Sequence, residues 1–156
     1  MELEISHEVK GFEEALEKLK QLADQETVKS ALREGVKECC EGVQHAAKNM
    51  VHADTSQLRN DIAVTPLPDT GPLVACKVGS VVKQGFFEEF GTGLQGDPTV
   101  AHTTKETWRY QDKDGQWYTT SGHPPHPWLY PSVKLQQPSF VGIMNKNIKN
   151  KLKGGG

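Results

Sequence analysis

Residues 27–51 have the sequence TVKSALREGVKECCEGVQHAAKNMV, the longest stretch of the chain with helical spacing of its apolar side chains. That spacing predicts an amphipathic helix, and Asp24 or Thr27 is suited to cap its N-terminus. Because most of the apolar side chains are small or medium, we expect the helix to pack closely against a sheet or another helix. The apolar stripe contains Val28, Leu32, Val36, Cys39, Val43, Ala46, Ala47 and Met50.

Helical spacing also precedes this stretch, at residues 8–23, whereas short segments with strand character follow it. Asp114-Gly115, flanked by alternating aromatic and polar residues, predicts a β-hairpin. The predicted strands are Arg59–Thr65, Leu73–Gly79, Val81–Phe90, Thr107–Gln111 and Gln116–Thr120.

The segments between and after these strands complete the predicted organisation. Gly91–Lys105, rich in Gly, Thr, Asp and Pro, predicts a long exposed arm. Four prolines between positions 124 and 131 argue against regular helix or central strand there. A last helix is expected at Ser139–Leu152. The prediction is therefore one α+β domain over residues 1–153, with N-terminal helices on a mainly antiparallel sheet of about four or five strands, a C-terminal helix and a flexible tail at 154–156.

Composition limits the class of protein. With 156 residues, 35% hydrophobic residues and a formal charge of −2, the chain suits one domain with a modest core. It has no apolar run of the roughly 20 residues that span a membrane, and residues 1–14 lack the pattern of a signal peptide. Its three cysteines, two of them adjacent, do not suggest a disulfide framework.

Charge is distributed unevenly along the chain. Residues 1–41 contain eleven acidic and six basic residues, whereas residues 115–156 contain five lysines and no acidic residue. Two interpretations remain open. In the first, the charges cover solvated helix faces; in the second, they provide complementarity between copies or contact with nucleic acid.

The histidines do not predict a metal site. His123 and His126 are three residues apart, but zinc requires three or four ligands, and no Cys or acidic residue lies nearby in sequence. The prolines around them point the two rings in different directions, so a turn packed on the sheet is expected. His45 and His52 lie near the end of the long helix, where a solvated or capping role is common.

Nucleophilic and acid–base chemistry are not predicted either. Cys39 and Cys40 lie in the apolar stripe, without the basic partner or helix N-terminus that activates a thiol. Glu88 and Glu89 are adjacent on a predicted strand and would point to opposite faces. No phosphate-binding loop follows the glycines at 91 and 93. We therefore expect no enzyme, no catalytic residue, no metal and no cofactor.

Three separated motifs resemble one family. They are ADTSQLRNDI at 53–62, GFFEEFGTG at 85–93 and HPWLYPSV at 126–133. In this order they resemble neck, tail-completion or head–tail joining proteins of long-tailed phages and prophages, a family similar to the lambda minor tail protein Z. The resemblance covers roughly residues 28–152.

This resemblance implies a structural virion subunit, made in the host cytoplasm, that assembles as a homo-oligomeric ring between the head connector and the tail; a six-fold ring is expected. Other neck, connector and tail proteins would be its partners, DNA would pass nearby without specific contact, and no membrane would be involved. The alternative is a small regulatory or nucleic-acid-contacting binding module. The arm and the hairpin are candidate contact segments, and the candidate interface residues are Arg59, Phe86, Phe87, Glu88, Glu89, Phe90, Thr92, Trp128, Lys146, Lys149 and Lys151.

Overall fold

The computed structural model describes residues 2–4, 25–52, 56–71, 73–112 and 114–154. The helix expected at residues 8–23, the cap expected at Asp24, the first three residues of the ADTSQLRNDI motif and the last two residues of the chain lie outside these ranges.

The long predicted helix is confirmed as α1, Gln25–Met50. Most of its predicted stripe is buried, including Val43 and Ala47, which are fully buried. Small residues let other elements approach closely: a methyl group on Gly35 would lie 2.6 Å from the sulfur of Met144. Helix α1 thereby becomes the central element against which the C-terminal helices and the sheet pack.

Within the described ranges, five strands form two antiparallel sheets. The first consists of β1 (Glu2–Glu4), β2 (Ala63–Pro66) and β3 (Cys76–Gly79), with β3 in the centre. Its register pairs Val64 with Val78 and Leu3 with Val78 across the two ladders. The second is the hairpin of β4 (Trp108–Gln111) and β5 (Trp117–Thr120). The α+β class is thus confirmed, but the prediction of four or five strands in one sheet is wrong.

One of the predicted strands is largely helical, and another is helical only in its first half, because its second half forms β2. The segment Val81–Phe90 forms helix α3, Lys83–Phe90, and the first half of Arg59–Thr65 belongs to helix α2, Ser56–Asp61. In α3 the buried residues are Gly85 and Glu89, four positions apart, which is the period of a helix and not of a strand. The phenylalanines in this segment favoured a strand by propensity, but packing against the core decided otherwise.

The C-terminal part contains α4 (Leu129–Gln136), a 3-10 turn (Gln137–Ser139) and α5 (Phe140–Gly154). The final helix is confirmed to within two residues at each end. Helix α4 contradicts the expectation that prolines exclude helix here. Pro131 lies in its first turn, where a backbone N–H would have no partner within the helix, so proline is tolerated.

One core joins these elements. Helices α1, α2 and α4 and strand β3 each contribute side chains to it, and α3 covers it through Gly85, against which Leu58 and Trp128 pack. Its buried members are Cys40, Val43, Ala47, Val51, Leu58, Ile62, Cys76, Val78, Trp128 and Leu129.

Candidate assembly interface

The β4–β5 hairpin, residues 108–120, has the predicted turn. The carboxylate of Asp112 accepts backbone N–H groups from Asp114 and Gln116, both at 2.9 Å. Gly115 adopts a φ of 82°, a conformation that other residues rarely take. The hairpin predicted at Asp114-Gly115 is therefore confirmed, with its turn stabilised by local hydrogen bonds.

Both faces of this hairpin carry exposed aromatic side chains. Tyr110 and Tyr118 are directly opposite each other on one face and stack with ring centroids 5.7 Å apart. On the other face, Arg109 lies over the ring of Trp117. Trp117 is 57% exposed, and both tyrosines are nearly half exposed. Such aromatics are the side chains that protein interfaces favour, and a two-stranded hairpin is marginal without a packing partner.

The base of the hairpin is attached to the loop that follows α3. Thr92 donates its N–H to the carbonyl of His123 at 2.9 Å, and its hydroxyl accepts the N–H of His123 at 3.3 Å. Trp108 packs against Gly93, where a methyl group would lie 3.0 Å from its ring. Thr92, a candidate interface residue, therefore holds the hairpin to the body of the same chain.

The arm at residues 91–105 contains short turns. A 3-10 turn, Gly93–Gln95, is followed by a turn in which the Asp97 carboxylate accepts the N–H and the hydroxyl of Thr99 at 2.8 and 2.6 Å. These hydrogen bonds lower the pKa of Asp97. Leu94 projects from the arm and is 65% exposed. The arm therefore presents an apolar side chain from a turn with defined hydrogen bonds.

The phenylalanines of α3 form a partly exposed cluster. The rings of Phe86 and Phe90 are 5.0 Å apart, and those of Phe86 and Phe87 are 6.2 Å apart. Phe87 is 45% exposed, whereas the other two are half-buried. Phe87 is accordingly the member of this cluster best placed to contact another molecule.

Glu89 and Trp128 are buried, so they do not belong to the candidate interface surface. One oxygen of Glu89 accepts the backbone N–H groups of Trp128 and Leu129 at 2.7 and 2.8 Å, and the other accepts that of Tyr130 at 3.0 Å. The indole N–H of Trp128 donates to the carbonyl of Gly85 at 2.9 Å. The Glu89 carboxylate thus satisfies the free N–H groups at the start of α4, and the expected arrangement of Glu88 and Glu89 on opposite faces of a strand is wrong.

The basic C-terminal helix pairs with acidic residues of its own chain. Lys146 bonds to Glu38, and Lys151 lies 2.8 Å from Glu34. Hydrogen bonds from Lys146 and then Asn147 lower the pKa of Glu38. Lys146 and Lys151 thus have acidic partners on α1 of the same molecule, whereas Lys149 is exposed.

Arg59 also has an internal role. Its Nε donates to the carbonyl of Lys48 at 2.7 Å, so the guanidinium satisfies one of the carbonyls left free at the end of α1. The candidate surface then consists mainly of the hairpin, the arm and Phe87. Tyr110, Trp117 and Tyr118 were not among the individually predicted residues, although the aromatic alternation around Asp114-Gly115 was the signal that located them.

The cysteines are free, buried thiols. Burial raises the pKa of Cys39 to about 11, with a smaller effect from the nearby Glu38. The pKa of Cys40 is raised further, by burial and then by the neighbouring Cys76. Because thiolates are the nucleophilic form, these side chains are poorly suited to catalysis at neutral pH.

A family model described as "Bacteriophage HK97-gp10, putative tail-component" matches residues 10–112. The chain belongs to this family. The match extends from before α1 through β4, so it includes both α3 and the arm. Comparison with curated proteins and with solved structures gives no match.

Membership of this phage tail-component family supports a structural role in the virion, in contact with other phage proteins, and argues for a protein that is not an enzyme. In the described part of the chain, no helix is both long and apolar enough to cross a membrane. The prediction of a tailed-phage structural protein is confirmed at this level.

Proposed function

We propose that this chain is a neck or tail-completion subunit, similar in role to the lambda minor tail protein Z, and that copies join the head connector to the tail as a closed ring. The observation that carries the proposal is the β4–β5 hairpin, which projects aromatic side chains from both faces. A neighbouring copy is the occupant that would cover them.

The charge arrangement supports contacts between copies through the hairpin and not through the charged helices. Ion pairs from Lys146 and Lys151 to α1 are formed within the chain, so these two charges already have partners in the same molecule. Contacts between copies would rely on the hairpin and on Leu94 of the arm. A contact between two different surfaces of identical subunits closes into a ring when the rotation between them allows it. Six copies is the number we expect, with DNA passing through the ring without base-specific contacts.

The test is complementation of a phage from which the gene has been deleted. We expect the deletion to give separate heads and tails in electron micrographs, and the wild-type gene to restore joined, infectious particles. A Trp117→Ala/Tyr118→Ala double variant should fail to restore them. Tyr130→Ala, which removes a comparably exposed aromatic from α4, is the matched control and should restore them.

Two results would count against the proposal. Joined particles in the deletion strain would exclude a head–tail joining role. Full complementation by the double variant would instead exclude the hairpin as the contact between copies, while leaving the joining role in place. Native mass measurement of the purified variants would show directly whether the hairpin is needed for self-association.

A further inference from the structure

Three potential metal ligands from separate parts of the chain converge beside the end of α1. They are His52, Glu88 and His126, and their ligand atoms all lie within 4.8 Å of one another. The two imidazole rings have centroids 5.0 Å apart and meet edge to face. We propose that these three side chains bind a divalent transition-metal ion, with Zn²⁺ as the best-suited ion.

The backbone positions of the three residues are set by buried neighbours. His52 follows Val51, which is 5% exposed and whose N–H bonds to the carbonyl of Ala47 at 3.0 Å. Glu88 precedes the buried Glu89 on α3. His126 donates its N–H to the carbonyl of Glu88 at 2.7 Å, so the main chains of two ligands are joined directly. The backbone of all three residues is therefore held in place by buried neighbours and hydrogen bonds, although their side chains reach the surface.

The donor set suits zinc. Two imidazole nitrogens and one carboxylate oxygen are a ligand combination that zinc uses with water in the fourth position. Zinc bonds of about 2.0–2.1 Å in a tetrahedron place ligand atoms about 3.3 Å apart. Side chains whose atoms are within 4.8 Å of one another need to close by about 1.5 Å at most, which rotation of partly exposed side chains provides.

A small open cavity beside the three residues leaves room for the remaining ligands. It has a volume of about 160 Å³ and includes Met50 and Trp128 in its wall. A cavity of this size accommodates an ion with coordinated water.

His123 provides a matched control within the same loop. Its ring centroid lies 6.0 Å from that of His126, but its Nδ1 faces the carbonyl of Pro124 at 2.9 Å and it is not part of the converging group. The two histidines that are close in sequence, His123 and His126, are therefore not the pair at the site, which contains His52 and His126. The metal would connect the end of α1, helix α3 and the segment before α4, and this inference is independent of ring assembly.

The experiment is isothermal titration of the metal-stripped full chain with Zn²⁺. We expect saturable binding of one ion per chain. His52→Ala, Glu88→Gln and His126→Ala should each weaken binding at least about tenfold, as loss of groups that hold or orient a metal generally does, whereas His123→Ala should leave the affinity within about twofold. Circular dichroism of each variant checks that the fold is retained.

Cobalt substitution gives a second readout. Co²⁺ in place of Zn²⁺ should show the intense visible absorption of a tetrahedral site, and that absorption should change in His126→Ala and not in His123→Ala. Absence of saturable Zn²⁺ binding would overturn the proposal. So would equal loss of affinity in His123→Ala, or unchanged affinity in a variant lacking all three proposed ligands.

Discussion

Replacing Glu89 tests how much of the fold depends on one buried carboxylate. Its two oxygens accept three backbone N–H groups at the start of α4, at distances of 2.7, 2.8 and 3.0 Å. Glu89→Ala leaves all three without that acceptor, and two of them belong to the fully buried residues Trp128 and Leu129. A buried donor without a partner costs about 1–3 kcal/mol. Two such donors therefore cost roughly 2–6 kcal/mol, and loss of a negative charge at a helix N-terminus adds about 0.3–1 kcal/mol.

We accordingly expect Glu89→Ala to lower the free energy of unfolding by about 4 kcal/mol, a large share of the roughly 5–15 kcal/mol typical of a domain. Glu89→Gln should be milder. Its single carbonyl oxygen can replace the oxygen that accepts two N–H groups, while its amide NH₂ would face the N–H of Tyr130. We expect a loss of about 1–3 kcal/mol from that one unmatched donor.

The assay is urea unfolding followed by far-ultraviolet circular dichroism, with EDTA present to remove any metal. Glu88→Gln is the matched control, because the neighbouring side chain is partly exposed on the same helix, and it should change stability by less than about 0.5 kcal/mol. If Glu89→Ala were as stable as Glu88→Gln, the three hydrogen bonds would not be holding α4 in place and the reasoning would be refuted.

Three further outcomes follow from the structure. Gly122→Ala should destabilise the chain more than Gly71→Ala in urea unfolding, since both have positive φ but only Gly122 would place a methyl group 2.1 Å from a backbone oxygen; equal losses would contradict this. Cys39, with its pKa raised to about 11 by burial, should react with a thiol reagent at neutral pH only as the chain unfolds, and rapid labelling of the native protein would contradict it. The pKa of Asp61 is lowered, mainly by a hydrogen bond from the Ser80 hydroxyl and to a smaller extent by backbone N–H groups. Its contribution to stability is therefore present above the unfolded carboxyl pKa of about 4 and is lost as the pH falls through the folded value. Asp61→Asn should make the urea midpoint less sensitive to pH in that acidic range, and an unchanged pH profile would argue against the contribution.

Local signals predicted the elements that local interactions determine. The helical period of α1 extends over 26 residues, and the turn at Asp114-Gly115 needs only hydrogen bonds within five residues. The strand prediction was wrong at residues 83–90. The phenylalanines there favour strands, whereas the conformation depends on Gly85 lying against Leu58 and Trp128. Propensity is a weak guide where contacts distant in sequence decide the conformation.

The candidate sites show the same limit. Glu89 acts on N–H groups about 40 residues away, and the lysines of α5 pair with acidic residues more than 100 residues earlier in the chain. No characteristic spacing in the sequence indicates either of these contacts. The histidines illustrate the point most directly: sequence proximity pairs His123 with His126, whereas the fold places His126 beside His52 and Glu88.

The internal pairing of charges changes where an interface should be sought. A chain with an acidic start and a basic end invites a head-to-tail model, but Lys146 and Lys151 already have partners on α1. If these lysines were to pair with a neighbouring copy, their ion pairs with α1 would first have to break. One ion pair would replace another, so the net change in free energy would be small. The exposed aromatic side chains of the hairpin stack on each other or on Arg109, yet about half of the surface of Tyr110, Trp117 and Tyr118 remains exposed. Covering them removes apolar surface from water. In the ring that we propose, the hairpin would therefore supply the driving force for joining copies, and the fit of its two faces to the neighbour would supply the specificity.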